Sequence, residues 1–127
     1  MEWDYDVQMN AVSLVARHVY GFETKVWPEA AKKRVGLAAM KVYGGFPGRG
    51  PYDARLPADL RHAALRYALG LPHVSVAVVG MKGEAELKQN LDWLRGFTPL
   101  SEHELAALEA PTRELARQWG TLYGAVS

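Results

Sequence analysis

The stretch Leu71–Leu94, LPHVSVAVVGMKGEAELKQNLDWL, decides how the rest of the chain is read. Val74, Val76, Val78 and Val79 stand in an apolar run of strand length, and with the small Ala77 they leave no polar face. Such a run predicts a strand buried on both sides. Gly80 and Gly83 break it. From Glu84 to Leu94, the residues Leu87, Leu91 and Leu94 recur at helical spacing, which predicts a helix with one apolar face. The unit is strand, glycine turn, helix. A turn of this kind can aim backbone N–H groups and the positive end of a helix at an anion. It can equally be a plain connection that binds nothing.

Upstream, Ala58–Leu69 predicts a helix with an apolar stripe of Leu60, Ala64, Leu65, Tyr67 and Ala68, and Gly70 is expected to end it as the C′ residue. Gly44–Pro57, GGFPGRGPYDARLP, predicts a loop. It either covers a ligand or serves as a linker. Val35–Tyr43, VGLAAMKVY, predicts a second buried strand, whose Lys41 either snorkels past the strand end or faces a site. Phe22–Lys33 predicts a helix with Phe22, Val26, Ala30 and Lys33 on one face, Trp27 in the core, and Lys32, Lys33 and Arg34 at its negative end. Pro28 is expected to start a new turn there or kink the helix. Tyr5–Val15 contains a short strand at Asp6–Met9. Gln8 and Asn10 either face a ligand at a strand end or satisfy neighbouring backbone groups.

Downstream, Gly96–Pro99 closes the helix of the deciding stretch. Ser101-Glu102-His103-Glu104 has the capping-box pattern, with Ser101 as N-cap and Glu104 at N3. The helix it opens carries Leu105, Leu108, Leu115, Trp119 and Leu122, and Pro111 is expected to split or bend it. Gly124–Ser127 is expected to fray. The order of elements implies parallel strands joined by right-handed crossovers. Three parallel strands are few, and a sheet this narrow exposes two edges. The expected fold is therefore α/β, one domain over residues 1–127 that reads like part of a larger barrel.

Composition narrows the function. The 127 residues are 49% hydrophobic and 23% charged, which suits a globular domain rather than a disordered chain. A net charge of +1 argues against nucleic acid or a strongly anionic membrane as partner. There is no cysteine, hence no disulfide and no thiolate chemistry. No apolar run reaches membrane-spanning length, and MEWDYDVQMN lacks the apolar core of a signal peptide. The expected location is the cytoplasm. His18, His62, His73 and His103 lie on different elements without ligand spacing, so no metal site is expected. No GxSxG, P-loop or GxGxxG occurs, and no acid–base pair stands out.

With these elements placed, the sequence resembles the C-terminal part of an aldo-keto reductase. The resemblance is carried by DVQMNAVS (Asp6–Ser13), FETKVWPEAAKKRVGLAAMKVYGG (Phe22–Gly45), LRYALGLPHVSVAVVGMKGEAELKQNLDW (Leu65–Trp93) and FTPLSEHELAAL (Phe97–Leu108). It implies the sixth to eighth strands of that family's (β/α)8 barrel, with their helices and the C-terminal helices. It also implies an oxidoreductase lineage that reduces aldehydes and ketones with NADPH. The turn after the last strand and the next helix would hold the adenosine 2′-phosphate end of the cofactor, through Gly80, Met81, Lys82, Gly83, Leu87, Gln89 and Asn90. Asn90 matches the family's adenine-contacting asparagine, and Gln8 its nicotinamide-binding glutamine. Gln89 stands where glutamate is common. Glu86 stands where many members carry an arginine against the 2′-phosphate, which leaves NADP and NAD both open. Met40 replaces a ring that many members stack on the nicotinamide. The family's catalytic tyrosine, lysine, aspartate and histidine come from its first four strands and have no counterparts here, so no catalytic residue is expected.

The expected function is thus that of a truncated aldo-keto reductase that keeps part of the cofactor cradle and is inactive alone. The alternative is a self-associating or partner-binding barrel fragment without a catalytic role. Either way the expected partner is a second copy of the chain, as a homo-oligomer, or a separate N-terminal half.

Overall fold

In the computed structural model, which describes residues 5–44 and 56–119, three short strands pair as a parallel sheet. They are β1 (Val7–Ala11), β2 (Gly36–Met40) and β3 (Val74–Ala77), in the order β1-β2-β3. Val7 lies opposite Gly36 and Ala11 opposite Met40; Leu37 lies opposite Val74 and Ala39 opposite Ala77. Between those last two pairs β3 has one residue more than β2, at Ser75.

Side chains alternate across a strand, and the register sorts them into two faces. Gln8, Asn10, Leu37, Ala39, Val74 and Ala77 share one face. The other carries Val7, Met9, Ala11, Ala38, Met40 and Val76. The first face is covered: Leu37 and Ala39 join Val12, Trp27, Ala30, Leu65, Ala68, Ala116 and Trp119 in the core. On the second face Val7 (62% exposed), Met9, Val76 and Val78 meet solvent, while the small Ala11 and Ala38 are buried. The strand expected to be buried on both sides is therefore half exposed. The bulge at Ser75 lets Val74 and Ala77 both reach the core while Val76 turns away.

The helices follow local signals, with four departures. The expected helix Phe22–Lys33 is two, α1 (Phe22–Lys25) and α2 (Trp27–Lys32), divided at Val26. Pro28 sits in the first turn of α2, where its missing N–H costs no hydrogen bond. α2 then ends in a Schellman motif. Val35 N–H donates to Ala30 O (3.1 Å) and Arg34 N–H to Ala31 O (2.9 Å), with Arg34 at φ 59°.

In α3 (Ala58–Gly70), Gly70 is the last helical residue rather than a C′ cap. A Cβ there would lie 3.0 Å from Pro99 Cβ, so the glycine admits the segment that precedes the last helix. That helix, α5 (Glu102–Trp119), is continuous across Pro111. The carbonyl that loses its partner belongs to Ala107, which is exposed along with Pro111, so water can replace the missing N–H.

The fourth departure is α4 (Glu84–Arg95). Its only buried residue is Asn90, while Leu87, Leu91 and Leu94 are 42%, 44% and 41% exposed. Most of the expected Gly44–Pro57 loop, and the chain after Trp119, lie outside the described residues. No helix among the described residues is long and apolar enough to cross a membrane.

Candidate functional site

Parallel sheets present ligands at the carboxyl ends of their strands. Gly80–Gly83 follow β3 there and lead into α4. The four residues are exposed. Gly83 is extended, at φ 175°, a conformation any residue adopts. A Cβ added to Gly80 or Gly83 would meet nothing within 4 Å. Neither glycine is required by the chain's own packing, and the space above both is open.

The anion position beside the turn is held by a side chain of the chain itself. Lys82 N–H donates to Glu86 Oε2 at 2.7 Å, and Glu86 Oε1 pairs with Arg61 at 3.3 Å. A carboxylate in the first turn is favourable there for the same reason a phosphate would be. One turn on, Asn90 is 6% exposed. Its Oδ1 accepts the Tyr43 hydroxyl at 2.7 Å, while its Nδ2 is buried without a hydrogen-bond partner. An orphaned donor costs about 1–3 kcal/mol. An acceptor brought to it would be favoured. Gln89 is exposed, and Leu87 lies on the open stripe.

The other two expected cofactor residues are not brought together. Met40 ends β2 and shares the open face with Met9. Gln8 is the second residue of β1 and lies on the opposite face, with Leu37 as its register partner. Its Nε2 donates to Asn10 Oδ1 at 2.8 Å, and Tyr5 O–H donates to its Oε1 at 3.0 Å. Asn10 Oδ1 also accepts Trp27 Nε1–H at 2.8 Å. Of the two readings left open for these amides, the structure shows internal satisfaction, with a buried indole rather than backbone as the main partner. Gln8 and a group stacked on Met40 would lie on opposite sides of the sheet. Lys41, directly after β2, is left-handed at φ 58°.

Two features escaped the sequence reading. One is a polar cluster at the carboxyl end of β1, where a short 3-10 turn (Ala16–His18) meets α5. Arg17 pairs with Glu109, which also binds Arg113 at 2.6 Å. Buried His18 places Nε2 2.9 Å from Thr112 Oγ1 and Nδ1 3.9 Å from Glu109 Oε1. Thr112 O–H donates to Leu108 O at 2.6 Å, so His18 Nε2–H is the donor to Thr112. Burial, then the Arg17 charge, lowers the His18 pKa below its ordinary 6.5 against the opposing pull of Glu109. Nearby, Tyr67 O–H donates to Glu23 at 2.6 Å, and burial with that carboxylate pushes the phenol pKa up. Sequence alone offers no periodicity that would join residues 17 and 109.

The other is an open cleft of about 480 Å³ between α2 and the turn before β3, walled by Trp27, Pro28, Ala31, Leu71, Pro72 and His73. None of the expected cofactor residues lines it. No group of three or more metal-ligating side chains occurs among the described residues.

Compared with family models, curated proteins and solved structures, the chain matches none. What the coordinates define is a class: a mixed α/β chain with a small three-stranded parallel sheet, helices over one face, and a glycine turn running into a helix at the sheet's carboxyl end.

Proposed function

We propose that the chain is an aldo-keto-reductase-like barrel segment that contributes the adenosine end of an NADP(H) site and performs no carbonyl reduction by itself. The observation that carries this is the one-sided sheet. Three parallel strands in chain order, with helices over one face and exposed apolar side chains on the other, fit the wall of a barrel better than a finished sheet. The open space over Gly80 and Gly83 and the orphaned Asn90 Nδ2 fit the adenosine end of a dinucleotide. Glu86 on the Lys82 N–H fits a 2′-phosphate poorly, so NAD remains an alternative cofactor. When bound, the dinucleotide would supply the hydride. The part of this chain would be to bind and orient it through Lys82 and Asn90. The proposed place of action is the cytoplasm.

The test is a fluorescence titration with NADPH and NADH, together with NADPH oxidation in the presence of a generic aldehyde. Expected are weak binding and no turnover near the roughly 1 per second of ordinary enzymes. Lys82→Ala should weaken NADPH binding, and Glu86→Gln should strengthen it by removing the competing carboxylate. Binding indifferent to both variants overturns the cofactor reading.

A second reading, a self-associating fragment with no ligand, is favoured by one specific observation: the leucine stripe of α4 is uncovered.

A further inference from the structure

α4 is fastened to the molecule by polar and aromatic groups rather than by its leucines. Glu86, Asn90 and Trp93 recur at i, i+4 and i+7 and form its inner face. Glu86 pairs with Arg61 at 3.3 Å and Asn90 accepts the Tyr43 hydroxyl at 2.7 Å. Trp93 stacks on His62 with ring centroids 4.9 Å apart. Leu87, Leu91 and Leu94 each lie one residue further along, about 100° round the helix. Beyond them come Glu84, Lys88 and Arg95, all exposed. The leucine stripe thus runs between the attached face and a charged rim. Apolar side chains in such a row mark an interaction surface more often than chance exposure.

We infer that this stripe is covered by the same stripe of a second copy, with the two α4 helices antiparallel about a two-fold axis near Asn90 and Leu91. The inference rests on the assembly reading above and names its surface. Charge decides the direction. α4 carries Glu84 and Glu86 in its first turn and Arg95 in its last. Antiparallel packing sets the acidic, positive-dipole end of one helix beside the basic, negative-dipole end of the other. Glu84 of each copy then comes within a turn of Arg95 of its mate, while Leu87 meets Leu94 across the axis. A parallel pair would set like charges together. The ion pairs these residues make within α4, Glu84–Lys88 at 2.9 Å and Asp92–Arg95 at 2.6 Å, are both exposed and hold them only weakly. The contact is self-complementary, as a two-fold interface must be. It is also small against the ~800 Å² per partner of a standard interface, so the dimer should form at micromolar rather than nanomolar concentration.

Sedimentation velocity over a dilution series, with circular dichroism as a folding control, tests this on the full chain. Leu91→Glu should weaken dimerisation about tenfold or more with unchanged helix content. Glu84→Arg alone and Arg95→Glu alone should each weaken it, because either variant sets two like-charge pairs in its own homodimer. An equimolar mixture of the two single variants should regain the parent affinity, since both cross-pairs are then opposite in sign. A merely local effect on α4 would not be repaired by mixing. A chain that stays monomeric at all concentrations, or dimers indifferent to Leu91→Glu, or no recovery on mixing, overturns the inference. Oligomers that persist through all three variants would leave assembly intact and exclude this surface.

Discussion

His18 links the loop after β1 to α5 through Thr112, and its protonation state governs that link. Arg17 faces it from its own turn, and Glu109 and Arg113 from α5. With a folded pKa below 6.5, the folded chain binds fewer protons than the unfolded one as pH falls. The stability His18 contributes is therefore complete above about pH 6.5 and is lost as pH falls from there through the folded pKa. Urea midpoints between pH 7.5 and 5.5 should decline accordingly. His18→Gln keeps a donor for Thr112 and should flatten the slope in that window; an unchanged slope would assign it to other groups. Asn90 gives a second prediction at this scale. Asn90→Ala would remove the orphaned Nδ2 together with the acceptor, so the clean variant is Tyr43→Phe, which removes only the donor and should lower stability by about 1–3 kcal/mol, moving the urea midpoint with m unchanged. Neither role was legible in the sequence. Asn90 was singled out only by resemblance, and its partner Tyr43 lies 47 positions away.

Among the elements, what depends on neighbouring residues was readable. The capping box at Ser101–Glu104 forms as its spacing requires. Ser101 N–H donates to Glu104 Oε2 at 2.8 Å, and Glu104 N–H to Ser101 Oγ at 3.2 Å. Glu104 is held further by Arg66 in a two-toothed pair at 2.7 and 3.0 Å. That Arg66 bond first, then the Ser101 bonds, lowers its pKa to about 2, so the cap persists through mild acid. Ser101→Ala should cost about 1 kcal/mol in thermal or urea unfolding. Caps that use an unexpected residue were not readable. The C′ position of α2 demands a left-handed residue, and the chain has Arg34 there instead of glycine. The left-handed region costs a non-glycine residue roughly 1–2 kcal/mol. Arg34→Gly should therefore stabilise the chain by up to about 1 kcal/mol after glycine's own entropy cost; a lower urea midpoint would show that the arginine side chain has a further role. Likewise, the valine run of β3 reads as doubly buried because an apolar run does not say whether a layer covers each of its faces.

The whole molecule is defined by what lies on either side of its sheet. Parallel pairing followed from the alternation of elements; what covers each face of the sheet did not, because an apolar run does not say what lies over it. Val7, Met9, Val76 and Val78 form one apolar surface on the second face, against the rule that a parallel sheet is covered on both sides. Fully burying one such side chain is worth roughly 1.5–3 kcal/mol, so the surface is a standing drive toward whatever closes it. Yet in the isolated chain these side chains contribute little to folding, since between 45% and 62% of each is already hydrated. The two statements separate experimentally. At high dilution the chain should bind a hydrophobic dye such as anilinonaphthalene sulfonate while keeping its circular dichroism. Val76→Lys should reduce that binding, leaving the share of the α4 leucine stripe, and shift unfolding by only about 0.5 kcal/mol, the ordinary effect of an exposed substitution. It should also leave the NADPH titration unchanged, because Val76 precedes the Gly80–Gly83 turn and faces away from α4's attachment. A loss of several kcal/mol on Val76→Lys would mean the face is already covered in solution, and that the three strands close their core in a way the one-sided sheet does not describe.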